Sequence, residues 1–123
     1  MKDLIATVAK TYGGLHCPFN NAGILPTTAL LADTDASVFD SVLSVDLKGV
    51  FLCMKYEIRL MLQHGGGAIV NNASIAGMIA DPGISAYVAA KHGVIGMSKA
   101  AAIEYASQGI RINALAPGLV ETR

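Results

Sequence analysis

Short apolar runs alternate with longer stretches of helical periodicity along this chain, and that alternation limits the folds open to it more than any other feature. Residues 2 to 12 read as a helix and Leu15 to Phe19 as a short strand, followed by a loop from Asn20 to Ala32. Asp33 or Thr34 then caps a helix carrying Phe39, Leu43, Leu47, Val50, Phe51, Met54, Ile58 and Met61 at three- and four-residue intervals, a stripe wide enough to pack on a sheet. Glycines 65 to 67 end it, and Ala68 to Asn72 form a second strand. Asp81-Pro82-Gly83 marks a turn before a helix from Ser85 to Ser107, Gly109 closes that helix, and Ile110 to Leu115 give a third strand. Strands separated by helices pair in parallel through right-handed crossovers. The expected class is therefore α/β, a doubly wound parallel sheet of about three strands with flanking helices.

Composition fits strands buried on both faces. The chain is 53% hydrophobic and 15% charged, more apolar than soluble domains usually are. Its 123 residues suit one domain, with no repeat, linker or low-complexity tract. Nine basic and nine acidic residues are scattered singly and sum to zero, which leaves no electrostatic footprint for nucleic acid or an anionic membrane. Cys17 and Cys53 lack metal or redox spacing and are expected to be buried, reduced thiols. With no signal-peptide pattern and no apolar run of the roughly eighteen residues a membrane span needs, the expected location is the cytoplasm. Met54, Met61, Met78 and Met97 are expected as core or pocket lining, and His16 and His64 have no metal-ligand partners at suitable spacing.

Chemistry concentrates in Ser85-Ala-Tyr-Val-Ala-Ala-Lys-His92. Tyr87 and Lys91 stand four residues apart, so on a helix they share one face and the ammonium can favour the phenolate. His92, one position on, is turned about 100° away. Ser74 precedes the tyrosine by thirteen residues, just beyond the second strand. Such a trio can move protons at a carbonyl or alcohol oxygen. Two members also have a structural alternative: a strand-end or cap hydroxyl for Ser74, and a solvated helix lysine for Lys91.

Around the trio stand Asn20-Asn-Ala-Gly23, Asn71-Asn-Ala-Ser-Ile-Ala-Gly77 and Ile112-Asn-Ala-Leu-Ala-Pro-Gly-Leu-Val-Glu-Thr122, each beyond the carboxyl end of an expected strand, where open α/β sheets bind ligands. In this order and register the segments resemble the short-chain dehydrogenases/reductases, from about Val8 to the last residue. The resemblance implies a Rossmann-like fold over residues 1–123. It also implies an enzyme that uses NAD or NADP to interconvert a secondary alcohol and a ketone. Ser74 would polarise the substrate oxygen, Tyr87 would act as general acid and base, and Lys91 would stabilise tyrosinate and bond the nicotinamide ribose. The residues matching Asn20, Ala22 and Gly23 border the cofactor in that family, and those matching Pro117, Gly118 and Thr122 border the nicotinamide. Homo-oligomers are expected from the helices around Phe39 to Met61 and Ser85 to Ser107, which are similar to the family's interface helices.

The chain departs from the family pattern in two ways. The family's opening glycine-rich turn, which brings backbone amides to the cofactor pyrophosphate, has no counterpart, and neither has its C-terminal strand. The expectation is the middle of an enzyme, with a catalytically inactive fragment that only self-associates as the alternative. Asp46 stands where the family generally has an asparagine that holds a water for the proton relay. An aspartate keeps an acceptor but loses the amide donor, and near Lys91 it could draw the lysine away from the tyrosine. The loops from Leu25 to Leu31 and Gly77 to Ile84 are expected to wall the substrate, and their apolar content favours a hydrophobic alcohol or ketone.

Overall fold

The computed structural model describes residues 1–120. Three parallel strands in the order β1-β2-β3 form the sheet: β1 (Phe19–Asn20), β2 (Gly67–Asn72) and β3 (Ile110–Leu115). The helices are α1 (Lys2–Tyr12), α2 (Ala36–Leu43), α3 (Val50–Met61) and α4 (Ser85–Tyr105). Helix α3 packs against β2, α4 packs against β3, and the two helices touch each other. This is the expected α/β arrangement.

The sheet register is set by a close contact between glycines. Pairing runs unbroken from Gly67 opposite Ile110 to Asn72 opposite Leu115. It begins where Gly66, at φ +104°, lies so close to the backbone of Gly109 that any Cβ there would collide with the Gly109 carbonyl. Gly67 N then donates to Gly109 O at 3.1 Å. Glycine is needed at position 66 for both conformation and space.

Strand β1 is shorter than expected, Phe19–Asn20 rather than Leu15 to Phe19. The carbonyls of His16 and Pro18 still accept from Ala68 N and Val70 N at 2.9 and 3.1 Å, but Pro18 has no N–H to return. The ladder is one-sided until Phe19. Cys17 is exposed, against the expectation of burial, because the helices cover β2 and β3 rather than the approach to β1. Cys53 is partly buried, and both thiols are free.

The long helical stretch is capped by Asp35, not by Asp33 or Thr34. The Asp35 carboxylate accepts from Ser37 N at 2.8 Å and from Ser37 Oγ at 2.7 Å, which holds its carboxyl below the usual carboxylate range. Between α2 and α3 the chain passes through a π-helical segment, Ser44–Gly49. A wider turn shifts the phase of everything after it. Of the apolar stripe, Val50, Met54, Ile58 and Met61 are buried, with Val42 joining them, while Phe39 and Phe51 are 37% and 46% exposed. The main core joins α3, β2, α4 and β3 through Met54, Met61, Ile69, Val94 and Ile110. A smaller one joins Val42 to Ala86 and Ala90. Met78 is exposed and lines a surface hollow with Ile95, Ala102 and Ile112 rather than joining the core. No helix among the described residues is long and apolar enough to cross a membrane.

Gly66→Ala is expected to lower stability by about 1–3 kcal/mol through backbone strain and overlap. Gly96→Ala, in α4 with nothing within 4 Å of the added carbon, is expected to raise it by about 0.5–1 kcal/mol. Urea denaturation of the two variants beside the parent checks both.

Candidate active site

Lys91 lies in α4 between the two cores, after Ala90 and before Val94, and is 3% exposed. A buried ammonium needs partners. Its Nζ donates to the backbone oxygen of Asn72, at the end of β2, at 3.3 Å. It pairs with Asp46 Oδ2 at 3.6 Å and lies over the Tyr87 ring, 5.3 Å from the centroid. The tyrosine and lysine thus share one helix face, as their spacing requires. Asp46 is fully buried within the π-helical segment, where the wider turn carries its carboxylate towards α4. Its Oδ1 accepts from Ile24 N at 2.8 Å, while Oδ2 has no hydrogen bond.

Gly23 closes this arrangement. A Cβ there would stand 3.2 Å from Lys91 Nζ and 3.3 Å from Asp46 Oδ2, so a side chain would press on the ion pair. Ala22 is exposed beside it. Asn20 is placed differently: its amide turns beneath the sheet, where Nδ2 donates to Glu57 Oε2 at 3.0 Å and to Asn71 Oδ1 at 2.9 Å.

Ser74 begins a short turn, Ile75–Gly77, and its Oγ accepts from Ala76 N at 3.1 Å. The capping role expected as the structural alternative is realised, yet it uses only a lone pair and leaves the O–H free to donate. Gly77 seats this turn on α4, since a Cβ would stand 2.7 Å from the Lys91 carbonyl oxygen. Pro117 O accepts from Ile75 N at 2.8 Å, which brings the segment after β3 alongside. Gly118 is exposed with nothing within 4 Å of an added carbon, and Thr122 lies outside the described residues. The two apolar loops are joined by Ala29 N donating to Gly83 O at 3.0 Å. His92 is exposed, with Nδ1 3.0 Å from Val88 O. No group of three or more metal-ligating side chains occurs among the described residues.

One buried acid was not expected from the sequence. Glu57, 2% exposed, stands three residues after Met54 and four before Met61 on the buried stripe, and that placement was the available signal. Burial pushes its carboxyl up, and the Asn20 hydrogen bond only partly opposes this. Burial first, then the Glu57 charge, push the Cys53 thiol up as well.

The family model described as short chain dehydrogenase matches residues 1–123. The chain belongs to the short-chain dehydrogenase family. Cyclohexanol dehydrogenase of Acinetobacter sp. (strain SE19) is 50% identical over 122 residues, 99% of this chain and 49% of that protein. Levodione reductase of Leifsonia aquatica is 40% identical over 118 residues, 96% of this chain and 44% of that protein. Among solved structures, ElxO with NADP bound superposes with a TM-score of 0.95 at 39% identity, covering 99% of this chain and 49% of its own. The chain spans about half the length of the curated relatives it matches.

Because Glu57 has a folded-state value above the ordinary 4.5, the folded protein holds its proton more tightly than the unfolded chain does. Its contribution to stability is complete below that ordinary value and is lost as pH rises through the folded one. Denaturation midpoints measured against pH should show this decline in the parent and not in Glu57→Gln; parallel curves would contradict it.

Proposed function

We propose that residues 1–123 form one dinucleotide-binding domain that supplies the proton-transfer apparatus of an NAD(P)-dependent oxidoreductase interconverting a secondary alcohol and a ketone. The observation that carries the reading is the buried Lys91 ammonium held over the Tyr87 ring by Asp46 and the Asn72 carbonyl. During reduction the Tyr87 hydroxyl gives its proton to the substrate oxygen, and during oxidation the phenolate takes one back. Lys91 offsets the phenolate charge from the same helix face. The Ser74 O–H donates to the substrate oxygen and orients it. Asp46 holds Lys91 and, through Ile24 N, ties the loop after β1 to it.

The residues present fit the nicotinamide-ribose end of the cofactor. Lys91 has one carbonyl and one carboxylate for three N–H groups, and Asn72 Oδ1 is a buried acceptor with no partner. Tyr87, Lys91, Gly23, Ala22, Pro117, Gly118 and Thr122 would border it, with Asn20 behind them. When bound, the nicotinamide supplies or accepts the hydride. Names of relatives, cyclohexanol dehydrogenase and levodione reductase, point to cyclic alcohols and ketones, which suits the apolar loops. NADP in the ElxO structure supports a nicotinamide dinucleotide.

A second reading, self-association without catalysis, draws on the outer edge of β1, which has no strand beside it among the described residues and exposes Phe19 at 56%. Homo-oligomers fit either reading.

Calorimetric titration of NADH and NADPH into the chain, with assays on cyclohexanol and cyclohexanone, separates the two. Binding lost in Lys91→Ala, and turnover lowered about 10²- to 10⁴-fold in Tyr87→Phe with binding kept, would support the enzyme. A folded chain that binds neither nucleotide would leave self-association.

A further inference from the structure

Next to the Lys91 site runs a second buried polar system that the proton chemistry does not use. It starts at Glu57 on α3, passes through the Asn20 amide on β1 to Asn71 on β2, and continues from Asn71 Nδ2 to Ser98 Oγ on α4 at 2.9 Å. Ser98 in turn donates to Val94 O at 2.7 Å. Asn71 and Ser98 are both at most 2% exposed. The Asn20 Nδ2 donates to a carboxylate on one side and an amide oxygen on the other, so a flip of the amide would break both bonds.

This system ends one residue from the carbonyl anchor of Lys91 and a few residues before the turn that holds its carboxylate partner. Asn20 lies opposite Asn71 in the parallel register. One step along, Asn72 Nδ2 donates to Asn21 Oδ1 at 2.7 Å, and the Asn72 carbonyl is the one that accepts from Lys91. Two further residues along the other strand's loop is Gly23, against Nζ, followed by Ile24, whose N–H holds Asp46. A glutamine would accept the bond from Asn20 without the desolvation a carboxylate suffers, so the fold alone gives no reason for an acid here. A carboxylate does make the stronger, shorter bond to an amide N–H.

We infer that Glu57 is a positioning residue for Lys91: by gripping the Asn20 amide it fixes how the ends of β1 and β2 lie side by side, and so where the Asn72 carbonyl and the Gly23–Ile24 turn meet the ammonium. This rests on Lys91 being the lysine of the proposed proton-transfer pair. The consequence is a coupling, in which a change of charge at Glu57 is felt at Lys91 through two asparagines. The groups facing Glu57 are few. Strands β1 and β2 bring the neutral amides of Asn20 and Asn71, and α4 brings the Ser98 hydroxyl. Its own helix brings the Cys53 thiol, which burial and the Glu57 charge push up and the Met1 amino group pulls down.

The test needs neither nucleotide nor substrate, and so stands apart from the activity. The isotopically labelled 123-residue chain is titrated from about pH 4 to 9, across the range of carboxyl, thiol and terminal amine groups. Resonances followed are the side-chain amides of Asn20 and Asn71, the backbone amides of Gly23, Ile24 and Asn72, and Lys91 Cε. The expected result is one shared step, with a midpoint above the ordinary carboxyl value, that reaches Lys91 and disappears in Glu57→Gln but persists in Cys53→Ser. In Asn20→Ser, which leaves the acid but removes the link, the step should no longer reach Lys91. A step confined to Asn20 and Asn71, no shared step at all, or a Lys91 step that survives Asn20→Ser would each overturn the inference.

Discussion

Keeping one ammonium out of water governs how this molecule is put together. Desolvating a lysine without partners costs several kcal/mol, and leaving one buried partner of an ion pair alone costs about 3–5 kcal/mol. Lys91 is therefore met from three directions by three separate segments: the π-helical turn with Asp46, the end of β2 with its Asn72 carbonyl, and the loop after β1, where a side chain at Gly23 would press on the ion pair. None of these segments would need its particular backbone for apolar packing alone. The wider turn at Ser44–Gly49 and the absence of a side chain at Gly23 both follow from the need to bring groups to one nitrogen.

The apolar cores serve the same end. Lys91 sits where the small core of Val42, Ala86 and Ala90 gives way to the main core that includes Val94. Residues without side chains there let neighbours approach: Leu47 packs where Gly93 of α4 has none, and Ile95 with the Lys91 carbonyl packs where Gly77 of the facing turn has none. Close approach on both sides excludes water from the ion pair, and a charge pair is stronger when water is excluded. Packing and electrostatics are thus one design here.

Much of this was legible in the sequence. Strand β3 was read residue for residue, β2 and α4 to within a residue or two, and α1 fully, because their apolar runs and glycine stops are local signals. The Tyr87 and Lys91 pairing followed from helical spacing, and the proximity of Asp46 to Lys91 from family register. What escaped depended on interactions between distant residues. Pro18 trims β1 only because the missing N–H would have faced β2. The π-helical turn has no marker of its own, and Phe39 and Phe51, read on the packing stripe, are both exposed. The burial of Glu57 depends on Asn20, 37 residues away in sequence, whose amide turns to meet it.

The parallel sheet also sets the order in which this chain can be built. Asn20 and Asn71, bonded side by side, are 51 residues apart in sequence, and β2 reaches β3 only across the whole of α4. No rung of such a sheet can form from neighbours, so loop-closure entropy precedes every reward from pairing. The helices can assemble within microseconds, but they gain a surface to rest on only after those closures. The site around Lys91, which draws on all three distant segments, is accordingly among the last parts of the molecule to exist during refolding, and its appearance is a direct clock for completion of the fold.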